Sequence, residues 1–345
     1  MRSNPAKKVK NPRAAHGFVG RTCSITGVGS YVPSRILTNA ELEKIVETSD
    51  DWITSRTGIK ERRIAADDEF TSDLAAAAAR AAIKNANLTA EQIDLIIVAT
   101  VTPDMLLPST ACLVQQKIGA YRAAAFDIEA ACSGFIYGLE IGQQFIMSRT
   151  YETVLVIGAE KLSSIIDWTD RNTCVLFGDG AGAAILQHRP NSHGLLTACM
   201  GADGSKAGLL SVPGGGSRCP ATAQSVASRL HYLRMDGKET FKNAVNAMHA
   251  AAKESLRRCE ISIADIKCII PHQANQRIID VVTERLEARP DQVFVNLAKY
   301  GNTSAASVAI ALDEVVSSGR IERGDLILLI VFGAGLTWGA AVIEW

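Results

Sequence analysis

The chain has no net charge: 36 Lys and Arg stand against 36 Asp and Glu in 345 residues. No global field therefore pulls it toward nucleic acid or an anionic membrane, and an anionic partner must find a local patch. It also has no Cys-x-x-Cys spacing. Its 8 cysteines are scattered through apolar or mixed segments, which argues against a zinc site or a disulfide framework and favours a reducing, cytoplasmic setting. Cys23, Cys112, Cys174, Cys199, Cys259 and Cys268 read as packing residues. A phosphate-cradling Gly-Lys-Ser/Thr loop, a His-Glu-x-x-His helix and a calcium loop are all missing. Acid is missing from the first stretch, where Arg2, Lys7, Lys8, Lys10 and Arg13 precede the first carboxylate, Glu41. Residues 1–21 therefore read as a basic, disordered extension without the apolar core of a secretory signal.

Two glycine patterns fall short of nucleotide fingerprints. Gly27-Val28-Gly29 has no third glycine in register, and Gly178-Asp179-Gly180-Ala181-Gly182 lies before a strand-like run instead of opening a helix. Both read as tight turns. The uncharged run 326–343 is long enough to suggest a membrane span, but Gly333-Ala334-Gly335 splits it into two short β-rich pieces. Adjacent buried strands joined by a tight turn are the expectation, with no membrane association.

What is present is a chain that is 47% hydrophobic and long enough for a large core in two halves. Strand-like runs at 23–27, 94–100, 153–158 and 181–187 alternate with helical segments at 41–46 and 72–86, which indicates layered α/β architecture. The order then repeats: 94–99 resembles 266–271, 153–158 resembles 326–331, and 182–186 resembles 339–343. Internal duplication predicts halves at 22–190 and 191–345, with the corner at Cys132 matched to that at Gly301-Asn302. The segment 211–220, rich in Gly, Pro and Ser, reads as a mobile surface loop.

Cys132 sits between the apolar run 123–128 and a segment with helical spacing at Phe135, Leu139, Gly142 and Ile146. A strand that turns sharply into a helix lifts its corner side chain from the sheet, and the helix N-terminus favours thiolate over thiol. Pro271-His272-Gln273-Ala274-Asn275 and Tyr300-Gly301-Asn302-Thr303-Ser304-Ala305-Ala306-Ser307 also follow strand-like runs. One buried cysteine is ordinarily packing; three reactive side chains at strand ends suggest a nucleophilic site. His16, His188, His193, His231 and His249 lack such a context and read as surface or packing histidines.

Together, Ala131-Cys132-Ser133-Gly134-Phe135, Phe177-Gly178-Asp179-Gly180-Ala181-Gly182, Pro271-His272-Gln273-Ala274-Asn275, Gly301-Asn302-Thr303-Ser304 and Gly335-Leu336-Thr337-Trp338-Gly339 resemble the β-ketoacyl-acyl carrier protein synthase III family. The resemblance runs from about Thr22 to the C-terminus. It implies a thiolase-like α/β fold of two duplicated halves in α-β-α-β-α layers. The implied activity is decarboxylative Claisen condensation of an acyl-CoA primer, carried on Cys132, with malonyl-acyl carrier protein. By this resemblance His272 and Asn302 stabilise the enolate, and the backbone N–H groups of Cys132 and Ala334 form the second oxyanion hole; the family often has glycine at the latter position. Trp52 and Arg171 would clasp the coenzyme A adenine, Arg56 would meet its phosphates or pair with Glu47 or Asp50, and Thr57, Gly237, Ala274 and Asn275 would complete that site. Leu107, Phe177, Leu210 and Phe241 match the acyl tunnel, Leu107 by reaching into the other subunit of a homodimer. Lys242, Arg277 and Arg285 match the docking patch for the carrier protein. No metal or further cofactor is implied, coenzyme A thioester being a substrate.

A papain-type thiol hydrolase shares the order Cys, His, Asn, with 272 − 132 = 140 residues between the first two. Against it, Cys132 is far from the N-terminus and lacks a following aromatic residue of the papain kind. Starter enzymes of polyketide or quinolone synthesis remain alternatives within the resemblance.

Overall fold

The structure, a computed structural model, describes residues 22–189 and 194–345. The basic extension 1–21 and the expected boundary at 190/191 lie outside the described residues. Nine main strands follow in chain order: β1 (Ser24–Tyr31), β2 (Leu95–Ala99), β3 (Ala124–Ile128), β4 (Thr153–Glu160), β5 (Gly180–Gln187), β6 (Gly194–Ala202), β7 (Cys268–Pro271), β8 (Leu326–Gly333) and β9 (Thr337–Glu344). The helices that matter here are α1 (Asp50–Thr57), α2 (Thr71–Asn85), α3 (Thr110–Ile118), α4 (Gly134–Met147), α5 (Gly237–Arg258), α6 (Gln276–Arg285) and α7 (Ser307–Ser317).

The first sheet has the order β1-β5-β4-β2-β3 and the second the order β6-β9-β8-β7. Strand directions agree position by position: β2 and β4 are parallel, as are β7 and β8, while β5 and β9 run antiparallel to their neighbours. Even the fifth place is kept, by a parallel bridge from Val293 to Ile269 outside β7. The run 326–343 is two antiparallel strands in register from Leu326–Glu344 to Gly333–Thr337. Among the described residues no helix is long and apolar enough to cross a membrane.

Both faces of each sheet are covered, and the period of two sorts the side chains. Ile97, Val154 and Val156 point inward with Leu139 and Ile146 of α4, Val308 and Leu312 of α7, and Leu329 and Val331 of the second sheet. Their neighbours Ile96, Val98, Leu155 and Ile157 face outward against Leu74, Ala78 and Ala82 of α2. On the far side Leu328, Ile330 and Val342 pack on Met248 and Ala252 of α5 and Val282 of α6. The layers are therefore α-β-α-β-α, with α4 and α7 in the middle.

Several local expectations change. Gly27 and Gly29 lie inside β1, not in a turn; a Cβ at either would come within 2.6 Å or 2.3 Å of α2 backbone at Ala82. They let the helix sit directly on the strand. Gly180 and Gly182 likewise belong to β5. The helix expected at 41–46 is one turn, Asn39–Leu42, held by a capping box from Thr38 to Glu41. The segment 211–220 is tied down, with Gly214 N–H donating to the Leu230 carbonyl at 2.7 Å and Gly215 N–H to that of Cys219 at 2.9 Å. Cys112 is exposed, unlike the other expected packing cysteines.

Candidate active site

The sequence places its reactive residues just beyond strand-like runs; Cys132 and His272 do follow β3 and β7, whereas Asn302 follows a one-turn helix, Leu297–Tyr300, and the fold brings all three together. Beyond β3 the chain passes through Ala131 with φ +46°, makes one tight turn at Ala131–Ser133 and enters α4. In the second half it passes through Ser304 with φ +47°, makes the matching turn Ser304–Ala306 and enters α7. A left-handed conformation in a non-glycine residue costs about 1–2 kcal/mol and marks a shape imposed by its surroundings. The two corners pack together at the centre, but the register differs from the expected one. Cys132 corresponds to Ala305, and Asn302 lies three residues earlier, held by backbone bonds to Leu176 at 2.8 Å and from Gly178 at 3.1 Å. His272 directly follows β7.

Cys132, His272 and Asn302 all line one cavity of about 370 Å³, and all three are at least nine-tenths buried. Burial holds His272 neutral, its pKa lowered to about 4. Ser307 Oγ accepts the Gln273 N–H at 2.8 Å and lies 2.9 Å from His272 Nδ1. With the Ser307 hydroxyl donating to Nδ1, the single proton of the neutral ring sits on Nε2, and that nitrogen is a donor. Asn302 Oδ1 accepts the Ser304 N–H at 2.8 Å, so the amide NH2 is the end left for the cavity. A papain-like site would use the asparagine to orient the histidine. Here Ser307 holds His272 and Asn302 bonds elsewhere.

The thiolate expectation is corrected. Burial pushes the Cys132 thiol up to about 12; the carboxyl of Glu160 adds to this, while the Ser304 hydroxyl and the Cys132 N–H act in the opposite sense. The helix N-terminus does not by itself ionise a thiol so deeply buried.

The N–H groups of Cys132 and Ala334 donate to no carbonyl among the described residues. Both residues border a second cavity, of about 420 Å³, lined also by Val101, Leu162, Ile165 and Leu233. Thr337 Oγ1 ties the two backbone segments together, 2.9 Å from the Ala130 carbonyl, 3.0 Å from that of Ala334 and 3.1 Å from Ser133 Oγ. Gly333 keeps the arrangement open, since a Cβ there would lie 2.7 Å from the Cys132 nitrogen. Ser307, Thr337 and Gly333 lay within or beside quoted motifs yet carry no sequence signal of these tasks. The buried Glu160 had one: an acid ending an uninterrupted apolar strand.

Trp52, Arg56, Thr57, Gly237, Ala274 and Asn275 line the first cavity, as do Phe177, Leu210 and Phe241. Arg171 is not in that lining. Its guanidinium lies 5.2 Å from the Trp52 ring centre and donates to the Glu47 carbonyl at 2.9 Å, so a flat base would enter between the two only as they part. Arg56 stacks on Trp52 at 4.4 Å, while Asp50 pairs with Lys60. The Thr57 hydroxyl is spent on the Ile53 carbonyl, and the Asn275 side chain caps α6 while reaching the Arg56 carbonyl at 3.1 Å. Leu107, expected to reach into the other subunit of a homodimer, lines neither cavity of its own chain: it is 85% exposed, beside Leu106 and Met105 on an apolar loop. Lys242, Arg277 and Arg285 are exposed on α5 and α6, Arg285 bonding Asn246 of α5 at 3.0 Å. His188 bonds the Thr22 carbonyl and His231 bonds Ser225, as packing histidines do, while His16 and His193 lie outside the described residues. Among the described residues no cluster of His, Cys, Asp or Glu could hold a metal ion.

Residues 126–204 match the family described as 3-oxoacyl-[acyl-carrier-protein (ACP)] synthase III, and residues 256–345 match its C-terminal part. The chain is 58% identical over 321 residues to the β-ketoacyl-[acyl-carrier-protein] synthase III of Caldanaerobacter subterraneus subsp. tengcongensis, covering 93% of this chain and 97% of that one. It is 51% identical to the enzyme of the same name from Desulfitobacterium hafniense, again over 93% and 97%. The crystal structure of 3-oxoacyl-[acyl-carrier-protein] synthase III from Aquifex aeolicus superposes with a TM-score of 0.88 at 49% identity, covering 94% of this chain and 100% of that one. With its five layers, its paired corners and likeness running through both halves, the chain belongs to the β-ketoacyl-[acyl-carrier-protein] synthase III family and has the thiolase-like fold.

Proposed function

We propose that the chain is the initiating condensing enzyme of type II fatty acid synthesis, joining an acyl-CoA primer to malonyl-acyl carrier protein with loss of CO2. The observation that carries this reading is a buried cysteine between two cavities, facing a neutral histidine and an asparagine NH2.

In the first half-reaction the Cys132 sulfur attacks the primer thioester. The oxyanion meets the Cys132 and Ala334 N–H groups, and coenzyme A leaves. One thioester replaces another, so little free energy is lost. In the second, malonyl thioester loses CO2, and its enolate oxygen is met by His272 Nε2–H and the Asn302 NH2. A neutral histidine and an amide give donors without offering a proton that would quench the carbanion. The carbanion attacks the acyl carbon on Cys132, and the 3-oxoacyl product leaves on the carrier protein.

Trp52, Arg56, Arg171, Thr57, Gly237, Ala274 and Asn275 hold coenzyme A or the carrier's prosthetic arm at the cavity mouth. Lys242, Arg277 and Arg285 present positive charge to the acidic carrier protein. The apolar loop at Leu107 supports a homodimer, in which the partner subunit's Leu107 closes the acyl pocket bordered by Phe177 and Leu210, with Phe241 lining the neighbouring cavity. The eight cysteines are present as thiols, which supports a cytoplasmic setting.

Intact-protein mass spectrometry after incubation with a panel of acyl-CoAs tests the reading. One acyl adduct on Cys132, discharged by malonyl-acyl carrier protein, is the expected result; a stable adduct elsewhere, or none with any acyl-CoA, overturns it. The same panel separates a fatty acid primer enzyme from a polyketide starter enzyme by the chain it prefers.

A further inference from the structure

The chemistry above uses no positive charge from inside the fold, yet the first half buries one. Arg62 is completely buried on the short strand Glu61–Ile64, opposite Leu37 of the strand Arg35–Thr38. Its hydrogen bonds all go to neutral acceptors: Nη1 donates to the Leu37 carbonyl at 3.1 Å and to Asn39 Oδ1 at 2.8 Å, and Nη2 donates to the Val175 carbonyl at 2.7 Å. Its Nε finds no acceptor among the described residues. Burial lowers its pKa only to about 10, so it stays charged near neutral pH. A buried cation without a bonded carboxylate is costly, and an apolar side chain of similar volume often serves a core as well or better.

Val175 is followed by Leu176, whose carbonyl accepts the Asn302 N–H at 2.8 Å, by Phe177, which forms a parallel bridge with Asn302, and by Gly178, whose N–H donates to the Asn302 carbonyl at 3.1 Å. The Arg62 stem is wedged under that bridge: a Cβ at Gly178 would come within 3.0 Å of the Arg62 Cβ, and one at Gly301 within 3.5 Å. On the other side Asn39, itself buried, donates to Asp50 Oδ1 at 2.7 Å and to the Ile59 carbonyl at 2.9 Å, which fastens the same network to the first turn of α1. We infer that Arg62 is a positioning residue for Asn302: its guanidinium fork holds the Val175–Gly178 segment in place, and that segment holds the Asn302 backbone where its NH2 meets the enolate. The inference rests on the part in decarboxylation proposed for Asn302 above.

Acceptors on three separate segments need the planar fork of a guanidinium; a lysine ammonium would keep the charge but could not span them. An ångström of misplacement at a reacting group can cost about 10²-fold in rate. The other reactive residues are held independently. Thr337 ties down the residues flanking Cys132, Ser307 holds His272, and none of these bonds involves Arg62. Loss of the Arg62 fork should therefore fall on the second half-reaction and spare the first.

The test compares Arg62→Lys and Arg62→Met with the wild type by acyl-Cys132 mass, by CO2 release from malonyl-acyl carrier protein, and by hydrogen exchange followed with mass spectrometry. In both variants kcat for CO2 release should fall at least about tenfold with KM unchanged, while acylation stays within about twofold. Peptides covering 176–178 and 301–303 should exchange at least about tenfold faster, and one covering 131–135 should not change. Equal loss of both half-reactions with faster exchange throughout overturns the inference, as does full CO2 release in either folded variant. So does failure of both variants to fold, which would make Arg62 a residue of the core alone. Exchange needs no substrate: if the wild type releases no CO2 the functional reading falls, and exchange at 176–178 and 301–303 still decides the role of Arg62.

Discussion

Asn302 turns its oxygen inward to the Ser304 N–H, 2.8 Å away, and thereby commits its NH2 to the cavity. An asparagine without such an anchor presents either end, and half its orientations would repel an enolate oxygen. The two half-reactions should therefore separate. Asn302→Ala should still accumulate acyl-enzyme but lose CO2 release and condensation by roughly 10²–10³-fold, as for other deleted oxyanion donors. Labelled CO2 release and acyl-enzyme mass, measured side by side, check this. Loss of acylation with decarboxylation spared would refute the role.

Gly333 makes a sharper case because the change is one methyl group. In Gly333→Ala the new Cβ would approach the Cys132 nitrogen within 2.7 Å and cover the N–H proposed to receive the acyl oxyanion. Acylation should fall by about 10²-fold or more while the fold, judged by circular dichroism, is kept.

Stability should carry the mark of the buried acid. Glu160 has a folded pKa raised from 4.5 to about 7, so its stabilising contribution is complete below pH 4.5 and is lost as pH rises through about 7. Glu160→Gln has no such loss. Relative to wild type the variant should gain up to about 3 kcal/mol between mildly acidic and mildly alkaline pH, read from urea midpoints. His272 runs the other way, its contribution being lost as pH falls through about 4, but it is common to both proteins and cancels in the difference.

For the carrier protein, Lys242 and Arg277 are the informative pair, because Arg285 is already engaged with Asn246. Reversing both to Glu should raise KM for malonyl-acyl carrier protein severalfold and leave acylation by acyl-CoA nearly unchanged, and added salt should mimic the effect on wild type. Equal damage to both substrates would show the patch to be misassigned.

Strand-end positions were legible for Cys132 and His272 because they are local, an apolar run and then the reactive residue; Asn302 instead follows the helical turn Leu297–Tyr300, which the same apolar signal does not distinguish from a strand. The repeated strand order was legible because burial on both faces writes continuous apolar runs. What escaped was long-range. That Gly27 and Gly29 serve helix contact depends on Ala82, more than fifty residues away. The high thiol pKa of Cys132 depends on how deep its corner sinks, which no helix-terminus argument contains. Ser307 and Thr337 matter through a single hydroxyl each, and a hydroxyl in a small-residue stretch looks the same whether it binds or fills.

The matched corners have a consequence for how material reaches the site. The nucleophile belongs to the first half, but the turn carrying Ala334 and the glycine that keeps its N–H clear come from the second; Asn302 belongs to the second and is pinned by Leu176 and Gly178 of the first. Neither half can swing from the other without dismantling both proposed oxyanion holes at once. Substrate traffic must therefore be managed at the rim, by the stacked Trp52, Arg56 and Arg171 on one side and the segment around Leu210 on the other. Side chains and short loops at that rim can then yield to a substrate while the core stays shut.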